Sequence, residues 1–530
     1  MAGFDIGHFE RTAQHIRAKA IQEGRLLHNP PDDQLERLAE QEPEVTRTVY
    51  GNLVAESEPT SRAAAFTENS VDHPFGDSEM QLLRQCEEAL AKGSLISVDR
   101  TVGDAGSGTV VRLTVPVDFA HVAYGGKNLF APVLGPVEQP DYEIIMFKDG
   151  AFESNKSRRL PKKDVTIRLA MLPQGRVVKV VRNSNYIGEY KKGVFASEDW
   201  VAKRKRGGIF LHAGCRADYL QSVHGGYRGT RSLLIGLSAN GKTTTTCKVL
   251  ARKGNEKSWL VQDDGGTLMP DGSFHGFELG GVYVKTEAIT PGEQTEIYYG
   301  VLKPGTLGEN IFVTAEGDFD FHHLERTSNA RAVVQRRDLM HASQSIDAES
   351  IDNLILITRG PLVPAIAKLD LEEAVAFMVL GQAMESSAGD PTRAGKIRTE
   401  FFYDPFVAGD RAEHANTLYE ILRGLPHVNY YLINTGAVGE GMVRREIKLE
   451  HTLAILESLL RGGLEDWVDS GSGFKVPAAV RMVDDIYFHP EMLYSRLEFE
   501  QKRKRGSKAR RETIEAIGPG LHRAIREVFR

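Results

Sequence analysis

Between Ser232 and Cys247 the chain reads SLLIGLSANGKTTTTC. An apolar run precedes a glycine, four variable residues and Gly-Lys-Thr, so Gly236 through Thr243 fits G-x-x-x-x-G-K-[ST] in full. Glycines let backbone N–H groups close around phosphate oxygens, and the start of a helix adds a favourable dipole. Lys242 would neutralise the β- and γ-phosphates, and the Thr243 hydroxyl could ligate Mg²⁺. The expected nucleotide-binding set is Gly236, Leu237, Ser238, Ala239, Asn240, Gly241, Lys242, Thr243 and Thr244. Further on, WLVQDDGG ends a β-like run in two carboxylates, Asp263 and Asp264, and a carboxylate at the end of a strand beside such a loop is placed to hold a divalent metal. These motifs alone say nucleoside triphosphatase or kinase.

The loop needs a strand before it and a helix after it, and the flanking residues fit both. SLLIGL, SWLVQDD, NLILIT and VNYYLINTG are apolar strand-like runs separated by helical or turn-rich stretches, which predicts an α/β domain in the C-terminal half. Earlier, residues from about 9 to 40 read as polar helix broken at NPPDD, Asn29 to Asp33. LISVDRTVG, TVVRLTVPV and YEIIMF then read as strands of a mixed sheet. The charged stretch ASEDWVAKRKRGG, Ala196 to Gly208, marks the expected boundary between a substrate-binding domain over 1–206 and a nucleotide- and metal-binding domain over 207–530. The chain has no internal repeat, and the basic runs KRKR at Lys203 to Arg206 and QKRKRGSKARRE at Gln501 to Glu512 read as solvated faces.

Two domains also suit the length of 530 residues. A net charge of -6 gives no general pull toward nucleic acid or acidic membranes, and the N-terminus lacks the apolar core of a signal peptide. A cytoplasmic protein, monomeric and with no nucleic-acid or membrane partner, is the expectation. Cys86, Cys215 and Cys247 are widely spaced and odd in number, which suits reduced thiols better than disulfides or a zinc site.

Around these motifs the chain resembles the ATP-dependent phosphoenolpyruvate carboxykinases, in order from about Arg62 to Leu464. YIGEYKKGVF, Tyr186 to Phe195, is similar to a family segment Tyr-x-Gly-Glu-x-Lys-Lys-Gly. GIFLHAGC, GLSANGKTTTT, VQDD, FELGGVYVKT, TEIYYGVL, TSNARA and LINTG follow in the family's order. The resemblance implies a two-domain carboxykinase-like α/β fold with a P-loop-containing C-terminal nucleotide-binding domain. It further implies Lys192, His212 and Asp264 as ligands of a transition metal, Mn²⁺, with Ser238, Lys242 and Thr243 holding ATP phosphates and Mg²⁺. Arg62 would bind the substrate carboxylate, Tyr186 would lie beside the substrate, and Lys285 and Arg331 would face the phosphoryl group in flight. The implied reaction takes oxaloacetate and ATP to phosphoenolpyruvate, CO₂ and ADP, as in gluconeogenesis.

The chemistry is consistent with that set. Loss of CO₂ leaves an enolate, so no general base is needed to make the nucleophile, and a metal can stabilise its charge. An amine ligand must be neutral, which burial and a neighbouring dication both favour. Guanidinium groups suit carboxylate and phosphoryl oxygens through forked hydrogen bonds. The chain also departs from the family: Ala239-Asn240 stands where Gly-Thr is usual, TSRAAAF lacks Ser-Pro-Lys after the arginine, IKLEHTL replaces an Arg-bearing segment, and FFYDPFVAGD differs too. A divergent branch is implied. A kinase on the same core with another acceptor, and a non-catalytic nucleotide-binding regulator, are the alternative readings.

Overall fold

The β-branched and apolar runs Leu95–Val102, Thr109–Pro116 and Tyr142–Phe147, buried almost throughout, build the centre of a mixed sheet in the computed structural model, which describes residues 4–57, 66–104, 108–152, 164–237, 240–323, 330–384 and 397–530. The first two of these strands pair antiparallel, while Tyr142–Phe147 runs parallel to Thr109–Pro116 on one side and to Val177–Arg182 on the other. Helices Gly7–Gln22 and Asp77–Leu90 cover one face, burying Phe9, Ile16, Leu83 and Cys86 against Ile145, Phe147, Val178 and Val180.

By packing, the chain forms two units, Met1–Arg206 with Gly276–Met340, and Gly207–His275 with His341–Arg530. A simple division into 1–206 and 207–530 does not accommodate Gly276–Met340. Its strand Leu307–Glu309 runs parallel to Leu53–Ala55 and antiparallel to Arg331–Gln335, which in turn pairs with Gly281–Lys285. The backbone groups of Leu53–Ala55 find those partners about 250 residues away in sequence because unpaired buried N–H and C=O groups are costly.

The second unit is a mixed α/β body on an eight-stranded sheet. Three neighbouring strands, Tyr227–Ile235, Asn353–Thr358 and Asn429–Asn434, run parallel, with Ser232, Asn353 and Asn429 in register. Burial is unbroken over Asn353–Thr358 and the Ser232–Ile235 end of the first strand, and nearly so over Asn429–Asn434, as expected where both faces of a sheet are covered.

Helix Ile187–Val201 carries the YKKG segment, and every residue in it except Lys192 is buried. Its charges are therefore paired: Lys191 with Glu278 at 2.9 Å, Asp199 with Lys203 at 2.8 Å, and Glu198 with Arg206 at 2.8 Å. The basic run expected to be a solvated face continues this helix through a π-turn, Ala202–Arg206, in which Arg204 and Lys205 are exposed and Arg204 stacks on Trp200. The second basic run also differs from a purely solvated face. It lies in helix Arg496–Glu515, where Arg510 turns inward among Phe377, Phe474 and Phe529 and donates to Gln382 Oε1. Burial pushes Arg510 down to about 10. All three cysteines are buried and none is in a disulfide, and no helix among the described residues is long and apolar enough to cross a membrane.

In the first unit, buried His121 joins three segments. Its Nδ1 lies 2.7 Å from Glu42 Oε2, its backbone N–H donates to Glu42 Oε1, and its Nε2 lies 2.8 Å from the Asn185 carbonyl. A carbonyl and a carboxylate both accept, so the ring is doubly protonated. Burial, the largest influence, pushes the ring down, but the Glu42 charge and hydrogen bond, with Glu309 and the Asn185 carbonyl, outweigh it and raise it to about 9. A folded-state value above the ordinary 6.5 means stability fully present below about pH 6.5 and lost as pH rises through about 9. Thermal unfolding is expected to show that decline in the wild type. Glu42→Gln should lose the slope and unfold at lower temperature at pH 6.5; an unchanged slope would assign the decline to other groups.

Candidate active site

The phosphate-binding loop leaves the carboxyl end of Tyr227–Ile235. A Cβ at Gly236 would lie 2.9 Å from the Ile357 carbonyl oxygen and 3.0 Å from Ile357 Cβ, so the loop can start only with glycine against the next strand. Gly241 adopts a left-handed φ of +88° and turns the chain into the short helix Lys242–Cys247. Leu237, Asn240 and Lys242 are buried there, and Thr243 and Thr244 are half-buried in the first turn. Ser238 and Ala239 lie outside the described residues, as does Arg62.

Lys242 does not stand alone. Its Nζ contacts Asp264 Oδ1 and lies 3.4 Å from the His212 carbonyl oxygen. Asp263 and Asp264 follow the strand Lys257–Gln262 and diverge: Asp264 meets Lys242 and His212, while Asp263 is 1% exposed beside Cys247. His212, just after strand Ile209–Leu211, places Nδ1 3.1 Å from the Tyr403 carbonyl and Nε2 3.1 Å from Asp264 Oδ1. The Tyr403 carbonyl and the Asp264 carboxylate both only accept, so a neutral ring, with its single N–H, donates to one of them. Burial first, and then Lys242, push the imidazole below its ordinary range, toward the neutral form. With the proton on Nδ1, the Nε2 lone pair and an Asp264 oxygen would form a donor set that suits a divalent cation. Among the described residues no three His, Cys, Asp or Glu side chains converge as a metal cage, so a site here needs a donor of another kind.

In the first unit, Tyr186 caps the start of the buried helix and is 3% exposed. The peptide carbonyl before it is held by His121, and the N–H after it, of Ile187, donates to Glu309 Oε1 at 2.8 Å. A Cβ at position 188 would sit 2.1 Å from Tyr186 Cε1, so Gly188 makes room for the ring. Lys192 Nζ lies 5.1 Å from the centre of that ring and 3.1 Å from Glu189 Oε1, and Lys179 holds the other oxygen of Glu189. Lys285 and Arg331 are direct partners across antiparallel strands, and Glu309 flanks Arg331 on the next strand. Lys285 pairs with Glu287 at 2.6 Å, and burial pushes its ammonium below its ordinary range. Tyr283, two residues before Lys285 and so on the same face, hydrogen-bonds Glu309 and lies 6.3 Å from the Tyr186 ring.

The structure therefore brings Lys242, His212 and Asp264 together in one unit, and Tyr186 with Lys192, and Lys285 with Arg331, in the other. Glu309, Tyr283 and His121 join the second group without having been singled out in the sequence. Strand alternation through GVYVK is the one local signal that would have placed Tyr283 beside Lys285.

A family profile for phosphoenolpyruvate carboxykinase matches residues 27–486. The chain belongs to the phosphoenolpyruvate carboxykinase family. It is 28% identical over 492 residues to the phosphoenolpyruvate carboxykinase (ATP) of Aeropyrum pernix, covering 92% of this chain and 93% of that protein. It is 24% identical to the enzyme of that name from Chelativorans sp., covering 89% and 88%, and 26% identical to that from Rhizobium johnstonii, covering 80% and 76%.

Because Gly188 leaves the space that the Tyr186 ring fills, Gly188→Ala should displace the ring while leaving the nucleotide loop untouched. Carboxykinase turnover should fall on the order of 100-fold, the scale of an ångström-sized misplacement, with ATP affinity unchanged by calorimetry. Turnover equal to wild type would show that the ring's position does not matter to the reaction.

Proposed function

We propose that the chain decarboxylates oxaloacetate and phosphorylates the resulting enolate with ATP, giving phosphoenolpyruvate, CO₂ and ADP. The observation that carries this reading is the family match across residues 27–486. The convergence of Lys242, His212 and Asp264 supports it from the side of the chemistry.

In this reading the P-loop unit binds the nucleotide. Residues Gly236 to Thr244 wrap the phosphates, and Lys242 exchanges its contact with Asp264 for the β- and γ-phosphate oxygens. Mg²⁺ would travel with ATP on Thr243, and a transition metal such as Mn²⁺, held by Lys192, His212 and Asp264, would supply positive charge to the enolate. The Tyr403 carbonyl keeps the His212 proton on Nδ1, which leaves Nε2 as the ligating atom. Arg62 holds the substrate carboxylate, and Tyr186 lines the same site from its clamped turn. As the bond to CO₂ breaks, its electron pair becomes the enolate. The enolate oxygen then attacks the γ-phosphorus in line, ADP leaves, and Lys285 and Arg331 carry the charge on the transferring group.

A coupled assay with oxaloacetate, ATP and Mn²⁺ tests the reading directly. Oxaloacetate-dependent CO₂ release with ATP is expected, and its absence, with transfer to another acceptor, would favour the kinase alternative. Lys242→Ala and Thr243→Val should each abolish turnover; near-wild-type rates in either would overturn the nucleotide assignment. His212→Gln should weaken Mn²⁺ about 10- to 100-fold by electron paramagnetic resonance titration, the range for disturbed metal-site contacts. Undiminished Mn²⁺ binding in that variant would remove His212 from the ligand set.

A further inference from the structure

Three parallel strands end side by side at one edge of the second unit's sheet, and the carboxyl ends of such strands are where α/β folds take ligands. The phosphate loop follows the first. Arg359 follows the second, Asn353–Thr358, and Thr435 follows the third, Asn429–Asn434. Thr435 Oγ1 donates to the Asn240 carbonyl at 2.7 Å, tying the third strand end to the loop. Arg359 Nε reaches Thr435 Oγ1 at a long 3.5 Å, and its remaining N–H groups meet no partner among the described residues. Its stem lies on Gly436, where a Cβ would come within 3.1 Å of Arg359 Cγ. The side chain is half-buried; Glu446 is the carboxylate whose charge reaches it, with Arg444 opposing, but neither is within hydrogen-bond distance of the guanidinium among the described residues. Asn240, 2% exposed, likewise keeps an Nδ2 with no acceptor among the described residues. Donors held at the phosphate loop without acceptors describe a seat for an anion.

We propose that Arg359 is a phosphate-binding residue of the nucleotide site, donating with Asn240 Nδ2 to polyphosphate oxygens. This rests on the nucleotide reading of the loop and adds to it a cation that lies outside the loop motif. Thr435 couples the two donors, so that the seat is built from three strand ends.

Calorimetric titration with ADP and with inorganic tripolyphosphate tests the assignment. Arg359→Gln should weaken both about 10- to 100-fold, the scale of losing a charged hydrogen bond, with Arg359→Lys between it and wild type. Affinities within twofold of wild type for both probes would overturn the proposal. Lys242→Ala, run in parallel, separates the two readings: if it loses binding while Arg359→Gln keeps it, only the role of Arg359 falls. If wild-type protein binds neither probe, or Lys242→Ala binds as well as wild type, the nucleotide site itself falls. Should Arg359→Gln not fold, phenylglyoxal labelling of the wild type decides by peptide mass spectrometry. ADP and tripolyphosphate should each slow modification of Arg359, and an unchanged rate would overturn the proposal.

Discussion

Parallel pairing of Tyr227–Ile235, Asn353–Thr358 and Asn429–Asn434 is the constraint on which the second unit depends. Parallel strands all end at the same edge, so each must be followed by a loop there, and the loops are neighbours by construction. The phosphate loop, Arg359 and Thr435 are those three continuations. The close approach of Gly236 to Ile357 depends on the first two strands running the same way, and the hydrogen bond from Thr435 to Asn240 on the third ending at the same edge.

The first unit solves a different problem, that of carrying charge into a buried helix. Glu189, Lys191, Glu198 and Asp199 are each neutralised by a named partner, because a charge removed from water without one costs several kcal/mol. Lys192 alone keeps contact with solvent, and it shares Glu189 with Lys179. The same economy governs the turn before the helix. His121 and Glu309 hold the peptide groups on either side of Tyr186, and each is itself anchored, to Glu42 and to Tyr283.

Much of this was legible locally. Runs such as LISVDRTV and NLILIT declare strands through β-branched residues and turn punctuation, and the loop motif together with Asp263-Asp264 declares where phosphate and metal chemistry is expected. What escaped was non-local. Arg359 looks like any arginine after a strand until Thr435 and Asn240 are placed beside it. Glu309 sits in an unremarkable LGEN, and its partners Tyr283 and Ile187 come from other segments. The return of Gly276–Met340 left no mark in composition, because the strands in it pair with partners that local periodicity cannot identify. KRKR was legible in part: Arg204 and Lys205 are exposed as a solvated run predicts, but Lys203 and Arg206 turn to Asp199 and Glu198, partners the run itself does not reveal.

The pairing of Leu53–Ala55 with Leu307–Glu309 also has a consequence for biosynthesis. On the ribosome the earlier strand is made roughly 250 residues before its partner, an interval of about 12 to 50 s at 5–20 residues per second. Throughout that time its parallel edge has no native neighbour, and the intervening residues Gly207–His275 belong to the other unit. The N-terminal unit therefore cannot finish folding in the order in which it is translated. The nascent chain must hold an incomplete sheet while the loop-bearing strand and the short helix after it emerge, and this interval is when the protein is most exposed to misassembly and most in need of a chaperone.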